Sequence, residues 1–200
     1  MRVISGFLKG RNIEGYNIEG TRPTQDRVKE SMMASIQNNI KDATVLDLFA
    51  GSGSLGIETI SNGSKICYFI DNNKEVINTL KKNINNLQIQ NKSNIINSDW
   101  KKILNTFGQN KNKFDIIFVD PPYDYDVYEK VISKINELEL LNPNGILVLE
   151  YSNKKFNKEY NNLILIKEKK YGYKSVNIYK NIKNNWLKKN SVIIFNHRGG

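Results

Sequence analysis

The 200-residue chain contains one cysteine, Cys67, and one histidine, His197. A single cysteine excludes an internal disulfide and fits a reducing compartment. Cys67 sits among apolar neighbours and reads as a core residue. A lone histidine near the C-terminus is a poor start for a metal site, and no metal is expected. No stretch approaches the ~18 apolar residues of a membrane span. The residues from Met1 to Gly6 lack the apolar run of a signal peptide. A cytoplasmic protein without a membrane partner is therefore expected. Acidic residues are scarce beside basic ones, 20 against 30, for a net charge of +10. That balance points to a polyanionic partner, RNA or DNA first. Abundant Asn, Lys and Ile suggest A/T-rich coding, which inflates the lysine count. The few arginines are more informative, because their planar fork binds phosphate in a way Lys cannot replace.

The chain is organised around Val45 to Gly56, VLDLFAGSGSLG. A buried strand, Thr44 to Phe49, runs into a glycine-rich turn and then a helix, Ser54 to Ile60. Gly51, Gly53 and Gly56 satisfy G-x-G-x-x-G, which permits a tight turn and close approach of backbone to a ligand. The usual ligand of such a turn is a dinucleotide. Asp47 argues against one, because a carboxylate at the strand's carboxyl end would repel a pyrophosphate. It suits an ammonium or a sulfonium, and S-adenosylmethionine carries both.

Around this centre the pattern alternates. Residues 1–20 alternate weakly between glycines and read as a β-hairpin, with Arg2, Lys9 and Arg11 on it. Thr21 to Arg27 leads into a helix with one apolar stripe, Val28, Met32, Ile36 and Ile40. Arg22 and Arg27 lie at its start, facing either a phosphate or an ion pair with Asp26 or Glu30. A second strand, Lys65 to Asp71, ends in an acid twenty residues past Gly51, where nucleotide folds hold ribose hydroxyls. A helix covers Asn73 to Leu87. A third strand, Asn94 to Asp99, precedes the helix Trp100 to Phe107. Asp99 reads either as an acceptor for an adenine amine, with Trp100 stacking on the ring, or as the cap of that helix. Phe114 to Asp120 is an uninterrupted apolar run, as in a central parallel strand. The helix Tyr128 to Leu140 and the strand Gly145 to Glu150 follow. Ser152 to Asn161 reads as a loop or short helix. Leu163 to Ile166 and Ser175 to Tyr179 are two closing strands, joined by a basic and aromatic hairpin, Lys167 to Lys174. The fold class is α/β, a doubly wound, mostly parallel, seven-stranded sheet with a small N-terminal hairpin and helix extension. The expected division is 1–40 for the extension, 41–180 for the sheet domain and 181–200 for a tail without an assigned role. Gly51, Asp71, Asp99 and Asp120 all fall at the carboxyl edge.

Asp120-Pro121-Pro122-Tyr123 is the most specific motif. An exocyclic base amine is a poor nucleophile because its lone pair is delocalised into the ring. A carboxylate oxygen and a backbone carbonyl can accept both N–H groups and turn that lone pair toward an electrophile. The prolines remove competing donors and stiffen the backbone, and a tyrosine ring stacks on a flipped base.

Together, the Asp47 to Gly53 stretch and Asp120 to Tyr123 resemble the class I S-adenosylmethionine-dependent amino-methyltransferases, whose Rossmann-like fold fits the sheet above. The chain is most similar to the RsmD family, which methylates the guanine N2 amine in bacterial 16S rRNA. The segment from Thr21 to Glu30 (TRPTQDRVKE), the extended run from Asp47 to Glu58, Lys170-Tyr171-Gly172 and Val176 to Tyr179 carry that narrower likeness, over residues 1 to about 180. The resemblance implies that Asp47, Gly51 and Gly53 hold the methionine part of the cofactor, Asp71 the ribose, and Asp99 with Trp100 the adenine, with Phe49, Ala50 and Asn72 also in the cofactor site. It makes Asp120, Pro121, Pro122 and Tyr123 the catalytic motif, in which Asp120 and Tyr123 hold the target base. Arg22, Thr24, Arg27 and Lys170 would face RNA, together with the N-terminal hairpin. It implies 16S rRNA or a small-subunit assembly particle as partner and a monomer as the working unit. The family ends near residue 180, so the tail departs from it. A DNA adenine or cytosine amino-methyltransferase shares the chemistry, but about 40 residues before the cofactor strand leave little room for a target-recognition region. A C5-cytosine enzyme needs a nucleophilic Cys, and Cys67 is on the wrong strand. A protein amide methyltransferase would more often carry Asn at position 120. A non-catalytic RNA-binding assembly factor and a dehydrogenase are the remaining rivals, and intact cofactor glycines with Asp120 and Asp47 weigh against them.

Overall fold

The computed structural model describes residues 1–15, 26–121, 125–152 and 156–183. One eight-stranded sheet runs in the order β3-β2-β1-β4-β5-β8-β7-β6. The strands are β1 Thr44–Asp47, β2 Ile66–Asp71, β3 Ser93–Asn97, β4 Phe114–Val119, β5 Leu141–Ser152, β6 Glu159–Tyr160, β7 Leu163–Tyr171 and β8 Lys174–Asn181. β1 to β5 pair in parallel, and β6 to β8 close the sheet antiparallel. The helices are α1 Asp26–Ile36, α2 Ser54–Ser61, α3 Lys74–Leu87, α4 Trp100–Gln109 and α5 Tyr125–Glu137. The doubly wound α/β class is as expected. The strand count rises from seven to eight because Glu159–Tyr160, placed in a loop or short helix by its polar composition, adds to the edge of β7. Capping residues set several boundaries. Asn73 stays outside α3 and accepts the Glu75 and Val76 N–H groups, as short polar side chains do at helix starts.

Period-two alternation divides the core. Val45, Phe69, Ile116, Phe118, Ile146, Val148, Val176 and Ile178 face a cluster shared with α1, α2 and α3. Leu46, Ile70, Ile117, Val119, Leu147 and Leu149 face the opposite cluster with α4 and α5. Both faces of the central strands are covered, which is why these segments read as continuous apolar runs. By the same alternation, Asp47, Asp71, Asp120, Glu150 and Lys174 all belong to the α1–α3 face. The expected stripe is buried at Val28, Met32 and Ile36 of α1 and at Ile40 beyond its end.

The N-terminal arm, residues 1–15, forms a narrow loop pinched by a single bridge between Arg2 and Asn12. Val3, Leu8 and Ile13 insert into the α1–α3 core. The arm lies along α2. Near its ends Met1 donates to the Ile13 carbonyl, and at its tip Phe7 N–H bonds to the carbonyl of Ser61, the last residue of α2. Gly6 makes that contact possible: its φ is +74°, and a Cβ there would lie 1.9 Å from the Ser61 carbonyl oxygen.

Candidate functional site at the sheet switch point

Strand order reverses between β1 and β4, and a doubly wound sheet opens a ligand crevice at such a point, outside the carboxyl ends of its strands. The glycine loop leaves β1 there and Asp120 follows β4 there. Ladder bonds continue past β1, from Leu48 N–H to the Phe118 carbonyl and from Ala50 N–H to the Ile70 carbonyl. They hold the loop between both neighbours. Gly51 and Gly53 then take positive φ, 55° and 83°, a conformation glycine accepts without strain. Gly56 serves packing instead: a Cβ on it would lie 2.2 Å from the Phe69 ring and 2.6 Å from Cys67 Sγ, so its absence brings α2 against β2. Phe49 is half-buried and packs against the α4–α5 core, while Ala50 is buried.

Gly53 caps α2 without a side-chain bond. Asp47 takes that role from a distance, its Oδ2 accepting the Gly56 N–H at 3.0 Å, one of the orphan donors of a helix start. Asp71 joins strand to loop. Its Oδ2 accepts from Gly51 N at 3.1 Å and its Oδ1 from Asn73 N at 2.9 Å. Asn72, exposed, helps the same carboxylate through its backbone N–H. Burial pushes the Asp47 carboxyl up to about 7 against the pull of the Gly56 N–H, and Asp71 raises it further. Burial also raises Asp71, against the donations from Asn73, Gly51 and Asn72.

Asp120 is half-buried and Pro121 buried. The register pairs Val119 with Leu149, so Asp120 follows beside Glu150 at the end of β5. Lys174 of β8 makes an ion pair with Glu150, and the Tyr128 hydroxyl donates to the Glu150 carbonyl. Asp120 is held well above the usual carboxylate range by burial and then by Glu150; Lys174 opposes this, and Asp47 adds to it. The site thus brings together Asp47, Asp71 and Asp120 from three adjacent strands, with Glu150 beside them. Carboxylates that burial and mutual repulsion hold above their ordinary pKa are relieved by a cation or by hydrogen-bond donors and aggravated by a phosphate. The residues present fit a cationic, donor-bearing cofactor and disfavour a pyrophosphate.

Glu150, Lys174 and Tyr128 had been read only as parts of a strand, a hairpin and a helix. Glu150 carried the same signal as its neighbours, an acid closing an apolar strand. Lys174 carried none, because only the antiparallel pairing of β8 on β5 brings it there.

At β3, Asp99 Oδ1 accepts from Lys101 N at 2.8 Å and Lys102 N at 3.3 Å. The capping alternative therefore holds, and the carboxylate is exposed at the same edge. Ser98 N–H and the Asn97 side chain donate to the Asp71 carbonyl, which keeps this corner beside β2. Trp100 is half-buried, packs toward the α4–α5 core and borders a groove with Asn105, Ser133 and Glu137. Arg27 is exposed on the first turn of α1 and Lys170 on β7. Asp26, one of the partners considered for the arginines, instead approaches Arg2 at 3.9 Å. Arg22, Thr24, Pro122 and Tyr123, and the tail from 184, lie outside the described residues.

A Haemophilus influenzae relative, ribosomal RNA small subunit methyltransferase D, is 37% identical over 182 residues, covering 90% of this chain and 94% of that protein. A solved Escherichia coli structure superposes with a TM-score of 0.81 at 29% identity, covering 90% of this chain and 97% of the other. A solved structure from Haemophilus influenzae has a TM-score of 0.74 at 34% identity, with 90% and 98% covered. The model of the family described as conserved hypothetical protein 95 matches residues 1–180, and the chain belongs to this family, the RsmD family that its motifs resemble.

Proposed function

We propose that this chain is a ribosomal RNA methyltransferase that moves a methyl group from S-adenosylmethionine to the N2 amine of a guanine in 16S rRNA. The observation that carries the reading is the pairing, across the β1–β4 switch point, of a glycine loop backed by buried Asp47 with the Asp120 motif. The bound cofactor supplies an electrophilic methyl on a sulfonium. Asp47 would face its cationic amino-acid part, Asp71 would accept from the ribose hydroxyls, and the Asp99–Trp100 corner would take the adenine. The oxygens of Asp71 each already hold one N–H and have a further lone pair to offer.

Asp120 acts on the target as a hydrogen-bond acceptor. Accepting an amine N–H draws the nitrogen toward a tetrahedral geometry and aims its lone pair at the methyl. The nitrogen need not lose a proton first; it becomes acidic on methylation and the proton then leaves to water. Pro121 supplies no competing N–H. The residues assigned to RNA are Arg22, Thr24, Arg27 and Lys170, with the arm residues Arg2, Lys9 and Arg11. A cytoplasmic monomer acting on rRNA or an assembling small subunit completes the reading. No helix among the described residues is long and apolar enough to cross a membrane.

The test is nucleoside mass mapping of 16S rRNA from a strain lacking the family enzyme, incubated with this protein and labelled S-adenosylmethionine. One N2-methylguanosine is expected at a single position. Label in adenine or cytosine would redirect the target, and absence of transfer with intact cofactor binding would favour an RNA-binding assembly factor.

A further inference from the structure

The glycine loop cannot fix its own conformation, because Gly51 and Gly53 have no side chains and flank Ser52. Its restraints come from outside, and two of them lead to the N-terminal arm. Asn83 of α3 is 1% exposed. Its Nδ2 donates to the Ser52 carbonyl and to the Glu14 carbonyl, both at 3.0 Å, and its Oδ1 accepts the Glu14 N–H at 2.8 Å. One buried amide thus holds the arm by two bonds and the loop by a third. Lys29 of α1, fully buried, repeats the arrangement. Its Nζ reaches the Arg2 carbonyl at 2.9 Å, Ser54 Oγ at 3.1 Å and Glu58 Oε1 at 3.0 Å. Glu58 in turn accepts the Ile4 N–H at 2.7 Å and the Ser5 hydroxyl at 3.3 Å.

Burying an amide and an ion pair costs desolvation that apolar side chains of similar size would avoid. Here the bonds of these side chains go to the arm, to the loop or α2, or to each other. Polar groups so placed fix geometry more than they add stability.

We infer that Asn83, with the Lys29–Glu58 pair, is a positioning residue that couples the N-terminal arm to the cofactor loop, so that RNA held by the arm and cofactor held by the loop strengthen one another. The inference rests on the RNA and cofactor roles proposed above. Linkage requires the effect to be reciprocal: whatever factor RNA contributes to cofactor affinity, cofactor contributes to RNA affinity.

The experiment is titration of S-adenosylhomocysteine into the full chain, alone and with a saturating unmethylated 16S rRNA transcript, for the native protein, Asn83→Ala and the double variant Lys29→Met/Glu58→Gln. In the native protein RNA should tighten binding by about fivefold or more. Asn83→Ala should weaken binding without RNA by roughly three- to tenfold, and the gain from RNA should fall toward one, measured at RNA concentrations that still saturate the variant. A merely structural asparagine would lower the melting temperature and leave the RNA-induced gain intact, which would overturn the inference. So would a native protein that binds ligand and RNA with no mutual effect. If Asn83→Ala fails to fold, the double variant decides by the same ratio, since it leaves no uncompensated charge. A native protein that binds no S-adenosylhomocysteine would instead refute the proposed function.

Discussion

Two buried lysine–glutamate pairs lie on the same face of the sheet and are built differently. Lys29 and Glu58, with side chains 1% and 0% exposed, are matched one to one, and each also bonds neutral partners in the arm or in α2. Lys174 and Glu150, 13% and 2% exposed, are not matched. Among the described residues Lys174 also answers to Asp120, and Asp47 adds negative charge from β1. The balanced pair closes on itself and belongs to the architecture. The unbalanced one leaves negative charge at the mouth of the crevice, where a cationic cofactor and a donor-bearing base would complete it. Acids outnumbering their one lysine, added to burial, separate the crevice end of this sheet from the braced end.

The comparison breaks first at the braced end. Lys29→Met leaves Glu58 buried without its cation and should cost about 3–5 kcal/mol of stability. Lys29→Met/Glu58→Gln should recover much of that. Lys174→Met should cost less, because Lys174 is nearer solvent than Lys29. Urea unfolding at pH 7.5 (a chosen condition) measures all three. Equal losses for the two lysines would erase the distinction.

The surplus should also appear in the pH dependence of stability. Asp47 has its pKa raised from 3.8 to about 7 in the folded chain. The folded state then holds a proton that the unfolded state has already released, so stability falls as pH rises from about 4 to about 7. A shift of that size corresponds to roughly 4 kcal/mol. Asp47→Asn should flatten that decline and raise the ligand-free melting temperature at pH 8, while weakening cofactor binding. Melting curves across this range without ligand would show it. A flat native profile would mean that the site is not charge-strained.

Most of this arrangement was legible in the sequence, because the signals are local. Apolar runs ending in Asp71 and Asp120 and the three glycines identify strands and their carboxyl ends by position alone. What was missed depends on distant pairing. Asn83 interrupts an otherwise apolar buried stripe of α3, and nothing local marks it; its contacts need residues 14 and 52 beside it. Lys174 gains its role only where β8 runs antiparallel to β5. How the N-terminal arm packs was not legible either: at its tip Phe7 N–H bonds to the Ser61 carbonyl at the end of α2 and Leu8 is buried, contacts that only the folded sheet and its helices bring together.

At the reactive end, Asp120→Ala should lower single-turnover methylation by about 10²–10³, with cofactor affinity largely kept. It should not destabilise the fold, since it removes a carboxylate from a region that has one too many. Asp120→Asn should fall between, because its carbonyl accepts one N–H when the amide settles oxygen-inward. An Asn variant as slow as Ala, with both folded and binding cofactor and RNA, would show that the charge itself is required and would end the acceptor-only account.

The smallest effect should come from Lys174, and it tests the acceptor account most closely. An ionised Asp120 offers lone pairs on both oxygens, whereas the protonated acid offers chiefly its carbonyl, much as Asn does. Turnover should therefore rise with pH as Asp120 ionises, from a low-pH level like that of Asp120→Asn. Burial and Glu150 place that rise above the ordinary carboxylate range, and Lys174 pulls it back. Removing the lysine leaves only the raising influences, so in Lys174→Met the rising limb should move to higher pH. The shift should be modest, because Lys174 bonds Glu150 more directly than Asp120. Lys174→Arg keeps the charge and should restore the limb. The measurement is the single-turnover rate against pH with saturating RNA and cofactor. If Lys174→Met lowers the rate equally at every pH, the lysine only holds β8 against β5. If the limb persists in Asp120→Asn, the titrating group is elsewhere, and the contrast between the two pairs loses its catalytic meaning.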